Sequence, residues 1–545
     1  MSISLSAMAA RSEVSPAPWR KPFLNWLDGI EAGWAIPLLL IGFVAIWQVY
    51  LVIAYFGGDL HPDVLETWSY GRSLEWGYSK HPPLMGWVAR AWTEIFPLAN
   101  WSFQLLALTN SAIALWAVDL ISRRFVRGDK RMLVLLLLML LPAYQFHAQR
   151  FNANTVLLAT WPIATYCFLR SFETRSIGWA IVAGAAAALA MLGKYYSAVL
   201  IASFLLAALC HPQRRAYFGS LAPWISAAMG VVALGPHLVW LAVTGAKPIH
   251  YAIGVHAGKD LASAVLEAVK FVLGVALVLA LPAATWTLMV RDRLAKFSDD
   301  FRAMVPGLYL LFWVAMGTIL LPVAAAVVLR TDMAPIWSLQ GLFLFSVLIV
   351  CGASYPIERF YSVNLAVFVI GISLLSALVA APVHALYRND NPLHEGRNFY
   401  QKSAVALTRY WHQFSDAGLP SVGGDDVLAF AAAFYSPDHP VFDERLVFSS
   451  REAPPETSFV HGWAAICFEG DSYCLATMEQ TAARAPRVVK SEFVLESTLL
   501  GQPGAKQRFV AVIVPPAGET ALLPRPATAT MEEFGAVGQN SLQPD

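Results

Sequence analysis

The chain has 545 residues, of which 57% are apolar (AVILMFWYC) and 14% charged, against roughly 25% charged in an ordinary soluble domain. So few charges cannot cover a soluble protein of this size, which excludes a conventional cytosolic enzyme and equally a disordered or collagen-like chain. Lys and Arg number 38 and Asp and Glu 37, a net charge of +1, so no global basic field argues for a nucleic-acid partner.

Residues 1–30 carry Arg11, Arg20 and Lys21 but no short apolar core followed by a small-residue cleavage site, and they read as a cytoplasmic tail rather than a signal peptide. The first strong apolar run is Ala35–Tyr55. Others begin near Phe103, Met132, Val156, Trp179, Ala198, Leu221, Phe271, Val305, Pro335 and Asn364, which predicts about eleven transmembrane spans. The two runs flanking Lys194 are short, and one broken or re-entrant hairpin is an alternative for them. Aromatic residues at 12%, including 19 Trp, suit long membrane–water boundaries.

Orientation follows from the connections. One set carries Arg123, Arg124, Arg127, Lys130 and Arg131, then Arg170 and Arg175, Arg214 and Arg215, Arg291, Arg293, Lys296 and Arg302, and Arg359. The alternate set is poorer in Lys and Arg, so the first set is expected in the cytoplasm with the N-terminus. An odd number of spans then puts everything after about residue 384 outside, the periplasm of a bacterial inner membrane.

Between the first two spans, residues 57–101 read as an outward loop in which Asp59, His61, Asp63, Glu66, Glu75, Lys80, His81 and Arg90 crowd among aromatics. A connector needs few polar residues, and ionisable groups this dense beside a bilayer point to a functional site. Trp68, Tyr70, Trp76, Tyr78 and Trp87 are expected to lay the loop along the interface. Asp59 and His61 are of metal-ligand type, so a divalent ion stays open, although no tight ligand spacing supports it.

Beyond the membrane part, residues 31–383, composition turns richer in Asp, Glu, Gly and Pro. Short strand-like runs at Leu446–Phe448 and Arg508–Val514 predict one small α/β domain over 384–520. Residues 521–545, rich in Pro, Ala and Thr, are expected to be poorly ordered. Of five cysteines, Cys167, Cys210 and Cys351 lie in apolar runs, while Cys467 and Cys474 fall in the exported domain. A disulfide between those two is permitted there, and a free pair is the alternative.

Asp63-x-x-Glu66 followed by WGYSKHPPL, Trp76 to Leu84, resembles the first outward loop of bacterial GT-C glycosyltransferases. The similarity is to the glycosyltransferase 39, or PMT-type, family, which includes relatives of protein mannosyltransferases and of the lipid A aminoarabinose transferase. The family's leading acidic residue falls on Asp63. Its following Glu is replaced by Val64, with Glu66 nearby on the same helix. RFNANTVLLATWPIATY, Arg150 to Tyr166, resembles a second family segment, with Asn154 where an Asp is usual. LGKYYSAVL, Leu192 to Leu200, resembles the family's Lys-Tyr element, and RTDMAPIW, Arg330 to Trp337, its Trp-Pro outward loop.

The resemblance implies a mainly α-helical polytopic membrane protein of GT-C type with a C-terminal periplasmic α/β domain. It further implies transfer of a sugar from a polyprenyl-phosphate-linked donor to a periplasmic acceptor, which the sequence does not identify among lipid A, glycan, lipid and protein. An acceptor hydroxyl attacking the anomeric carbon must lose a proton, which gives Asp63, with Glu66 second, the role of general base. The departing phosphate needs fixed positive charge, for which Lys80, His81, Lys194 and Arg330 are the candidates, with Arg150 behind them. Asn154, Tyr195 and Tyr196 are candidates for contacting the sugar. Each has a plainer alternative: Asp63 as a helix cap, Lys194 and Arg330 as residues reaching the interface, and the tyrosines as belt aromatics. A lipid or glycan transporter or flippase is the rival reading, and an inactive lipid-binding relative a second. No obvious internal repeat and few charges within the spans weigh against a carrier.

Overall fold

The computed structural model describes residues 18–256, 258–331, 335–392, 397–447 and 460–517. The segment 521–545 and residues 1–17 of the N-terminal tail lie outside the described residues. Each apolar run is helical, but their lengths differ. Six helices are long and apolar enough to cross a membrane by length and composition: Ala35–Ala54, Asn100–Ser122, Ala222–Val243, Leu261–Met289, Pro306–Leu329 and Arg359–Asp390. Val156–Thr174 has 19 residues, while Asp129–Leu138, Ile177–Gly193, Ala198–Cys210 and Leu339–Gly352 are shorter.

Two boundaries differ from the sequence reading, for local reasons. The helix expected near Phe271 starts at Leu261, where the Asp260 side chain accepts the Ser263 N–H as an N-cap. The sequence hides this turn because Glu267 and Lys270 interrupt the apolar run, yet they pair with each other on an exposed face at 2.8 Å. The last long helix runs past residue 383 to Asp390 through one π-helical turn, Ser376–Ala380. Its polar end is held by Arg388, which donates to Phe56 O at 2.9 Å.

Around Lys194 the chain breaks. Lys194 is extended, Tyr195–Ser197 forms a 3-10 turn, and Ala198–Cys210 follows. Ile177–Gly193 packs on Ala222–Val243, whereas Ala198–Cys210 packs on Pro306–Leu329. Small residues permit the first contact: a Cβ at Gly184 would lie 2.3 Å from Ser226 O, and Ser226 Oγ donates to Ala180 O.

The C-terminal domain is a mixed five-stranded sheet in the order β2-β1-β3-β5-β4. β1 (Ser421–Gly424) pairs in parallel with β2 (Val441–Val447) and β3 (Trp463–Phe468). β5 (Gln502–Val514) runs antiparallel to β3 and to β4 (Val489–Leu499). Of the two expected strand runs, Leu446 falls in β2 and Arg508–Val514 in β5, while Phe448 lies outside the described residues. Alternation sorts the faces. Ala464, Ile466, Phe509, Ala511 and Ile513 join a hydrophobic core continuous with the membrane helices, whereas Trp463, Ala465 and Cys467 pack on the other face with Cys474 and Met478 of helix Ser472–Ala482. Cys467 and Cys474 form a disulfide with a Cα separation of 5.9 Å.

Candidate active site

The loop expected to face outward, residues 57–101, folds as two helices, Pro62–Gly71 and Leu84–Thr93, joined by residues 72–83. Pro62 suits the first helical position. His61 caps the helix, its Nδ1 accepting the Asp63 N–H at 3.2 Å. Asp63 is therefore not the cap, and its carboxylate is left for other contacts. Three of the five aromatics expected along an interface turn inward instead, while Trp76 stays exposed and Trp87 half-buried. Trp68, Tyr70 and Tyr78 are buried, with Trp68 edge-on to Phe434 and Tyr70 stacked on Tyr78 and packed against Phe430. Phe430 and Phe434 are supplied by the C-terminal domain, which lies far away in sequence.

Asp63 and Glu66 share this helix but differ in surroundings. Asp63 is 40% exposed, and its Oδ2 accepts Asn152 Nδ2 at 2.8 Å. Glu66, 14% exposed, lies 3.4 Å from Lys80 Nζ and 3.5 Å from His81 Nε2. Burial pushes the Glu66 carboxyl up, but His81 and Lys80 outweigh it and hold it below its ordinary value. Lys80 also meets Asp426 of the C-terminal domain at 3.0 Å. Burial opposes the Lys80 charge, yet Glu66 and Asp426 raise its pKa above the ordinary lysine value. His81 Nδ1 is buried with no hydrogen-bond partner among the described residues.

Asn152 organises the second element. Its Oδ1 accepts the backbone N–H groups of Asn154 and Thr155, each at 2.9 Å, while its Nδ2 holds Asp63. Asn154 Oδ1 then accepts Lys194 Nζ at 2.8 Å. One hydrogen-bonded chain thus connects Asp63, Asn152, Asn154 and Lys194, drawn from three separate sequence segments. Lys194 has this neutral amide as its hydrogen-bond partner. Burial lowers its pKa, with the carboxylates of Glu66 and Asp63 opposing from farther off. Beside it Tyr196 stacks on Trp337, and Tyr195 Oη meets His237 Nε2 at 3.0 Å.

Arg330 stands apart. It ends helix Pro306–Leu329 in the left-handed conformation with φ 53°, is exposed, and its carbonyl accepts the Lys259 N–H. Among the described residues its side chain forms no ion pair with the cluster. Asp59 and His61 do not make a ligand set either. The Asp59 carboxylate accepts the N–H groups of Tyr400 and Gln401 at the start of helix Tyr400–Trp411, while His61 Nε2 faces the Arg150 guanidinium. Among the described residues no group of three or more His, Cys, Asp or Glu could hold a metal. Sequence reasoning missed Asn152, Asp426 and His237. Asn-x-Asn-Thr is a local hint of a side-chain-capped turn, but nothing in the sequence pairs Asp426 with Lys80.

These features define a multi-pass membrane protein of GT-C fold whose polar cluster sits where the helices meet the C-terminal domain. The fold aligns with the structure of ArnT from Cupriavidus metallidurans bound to undecaprenyl phosphate, with a TM-score of 0.53 and 14% identity over 90% of this chain and 99% of that one. Its apo form aligns with a TM-score of 0.54, also at 14% identity, over 88% and 98%. Residues 80–240 match the family model described as dolichyl-phosphate-mannose-protein mannosyltransferase. Two curated relatives come from Rhizobium johnstonii. The lipid A galacturonosyltransferase RgtD is 27% identical over 205 residues, 37% of this chain. The lipopolysaccharide core galacturonosyltransferase RgtB is 28% identical over 216 residues, 39% of this chain. The match spans 42% of the length of each relative. Each of these is a likeness: in fold over most of the chain to the ArnT structures, and in sequence over part of it to the mannosyltransferase family model and the two galacturonosyltransferases.

Proposed function

We propose that the protein transfers a sugar from a polyprenyl-phosphate donor to an acceptor hydroxyl on the outer face of the inner membrane, with Asp63 as general base. The observation that carries this is the pair of environments on helix Pro62–Gly71: an accessible carboxylate oriented by Asn152, one turn from a buried carboxylate neutralised by Lys80 and His81. The acceptor oxygen attacks the anomeric carbon and its proton passes to Asp63. The bond from that carbon to the phosphate oxygen breaks, and its electrons leave with the polyprenyl phosphate. Lys194, paired with a neutral amide, is the cation best placed to receive that charge, whereas Lys80 is already shared between two carboxylates. Asn154, Tyr195 and Tyr196 surround Lys194 and are assigned to the sugar.

The disulfide Cys467–Cys474 supports an exported C-terminal domain, because cytosolic thiols stay reduced. The names of the two relatives make lipid A and lipopolysaccharide core the first acceptors to test, and galacturonate the first sugar. A lipid-extract mass spectrum of three strains tests the reading: deleted, complemented with the wild type, and complemented with Asp63→Asn. A polyprenyl-phosphate sugar should accumulate in the deleted and substituted strains alone. Identical spectra from all three, with the substituted protein present at normal level, would refute it.

A further inference from the structure

Next to the polar cluster lies a cavity of about 610 Å³ that the transfer chemistry does not use. This is within the ~300–1,000 Å³ range of small-molecule sites. Three elements wall it: the first outward loop, the end of helix Ala222–Val243 with Lys247 beyond it, and β2 of the C-terminal domain. Its inner wall is a hydrogen-bonded chain in which Tyr70 Oη meets Ser79 Oγ at 3.0 Å and both reach Glu444. Tyr70 is one helical turn past Glu66 and Ser79 precedes Lys80, so a single layer of side chains separates cavity and cluster.

The lining is mixed in a specific way. Arg72 and Lys247 bring cations, Glu75 and Glu444 bring carboxylates, and Ser73 and Thr244 bring hydroxyls. Two charges of each sign make a poor trap for a phosphate, and charged groups on each of its walls make a poor slot for an acyl chain. Aromatic rings complete it, with Trp240 packed so tightly on the loop that a Cβ at Gly77 would lie 2.4 Å from its ring. Donors, acceptors and ring faces together match a ligand whose hydroxyls both donate and accept and whose C–H faces pack on aromatics. The walls are also fixed in advance. Arg72 donates to Pro440 O at 2.6 Å and lies over the Trp68 ring, and His237 Nδ1 and Trp76 O are 2.5 Å apart. Pre-ordered polar groups lower the cost of binding a flexible glycan. By contrast, the cavity around Phe23, Trp26, Leu39 and Phe43 is almost wholly apolar and suits lipid tails.

We propose that the cavity bounded by Tyr70, Ser79, Thr244, Lys247 and Glu444 is the subsite for the carbohydrate portion of the acceptor. This rests on the transferase reading above, and it narrows the acceptor to a glycan or a glycan-bearing lipid.

Native mass spectrometry of the full-length protein in detergent tests it with two probes, undecaprenyl phosphate and the deacylated core oligosaccharide of the deletion strain's lipopolysaccharide. Wild type should bind both. Thr244→Trp and Ser73→Trp fill the cavity from two different elements of its wall, and each should weaken the oligosaccharide adduct at least ten-fold. Both should keep the undecaprenyl phosphate adduct, which serves as the check on folding. Equal oligosaccharide binding by wild type and both variants overturns the assignment, as does no oligosaccharide binding by a wild type that binds the lipid. Failure of wild type to bind undecaprenyl phosphate instead counts against the donor reading; thermal unfolding then serves as the check on folding, and the oligosaccharide result still decides the cavity.

Discussion

Replacing Asn152 by Asp separates the two jobs that its amide performs. The carboxylate of Asn152→Asp can still accept the N–H groups of Asn154 and Thr155, now both at 2.9 Å from Oδ1, so the turn before Val156–Thr174 is kept. What changes is the partner of Asp63, 2.8 Å away, from a donor to a like charge. Two unit charges about 3 Å apart repel by about 5–6 kcal/mol at an effective dielectric of ~20. Asp63 is two-fifths exposed, so solvent reduces this to about 3 kcal/mol. At 1.36 kcal/mol per unit, the upper titration of the pair moves up by about 2 pH units. A base works deprotonated, so the acid limb of the pH–rate profile should move upward by that amount, with the rate on that limb falling by up to ~100-fold and recovering toward higher pH. The assay uses membranes of each variant, with donor lipid and lipopolysaccharide extracted from the deletion strain, so neither substrate need be named beforehand. A variant profile that coincides with wild type across that range refutes Asp63 as the base.

Further outcomes follow from the same geometry. Lys194→Met removes a charge-assisted contact worth roughly 1.5–3 kcal/mol, so undecaprenyl phosphate should bind about 10–100-fold more weakly in a competition assay. Unchanged binding would move the phosphate site elsewhere. Cys467→Ser should destabilise the C-terminal domain by about 2–3 kcal/mol, the magnitude for a short loop. Thermal unfolding with and without dithiothreitol checks this, and a wild-type transition insensitive to reductant would contradict it. Burial pushes the Asp59 carboxyl up to about 7 from its ordinary 3.8. The folded state therefore keeps a proton that the unfolded chain has released, and stability contributed at this junction declines as pH rises from about 4 to about 7. Amide exchange at Tyr400 and Gln401, corrected for the intrinsic pH dependence, should accelerate over that window in wild type and not in Asp59→Asn.

Helix positions were legible because apolar runs of membrane length leave little alternative, and the first loop stood out because its charges contradict its setting. The pairing of Asp63 with Glu66 could be read as two carboxylates on one helix face, but not which of them would be neutralised. That depends on Lys80 and His81 folding back from the next segment and on Asp426, more than three hundred residues away. Asn152 escaped notice for a related reason. An amide in an Asn-rich turn is ordinary until Asp63 is found against it. Arg330 shows the opposite limit: a cation at the expected end of a span that forms no ion pair with the cluster among the described residues.

The fastening of the first loop to the C-terminal domain bears on how such proteins can be recombined. Tyr435 bridges Leu60 N and Asn100 Oδ1, Asp59 completes the start of helix Tyr400–Trp411, and Glu444 binds Ser79. Each contact joins a residue before 101 to one after 397. A chimera that exchanges only the C-terminal third with a relative puts all of them at stake at once, whatever the compatibility of the membrane helices. Residues 57–101 and the C-terminal domain are therefore best exchanged as one unit, and grafts aimed at changing acceptor choice should carry residues 57–101 together with β2.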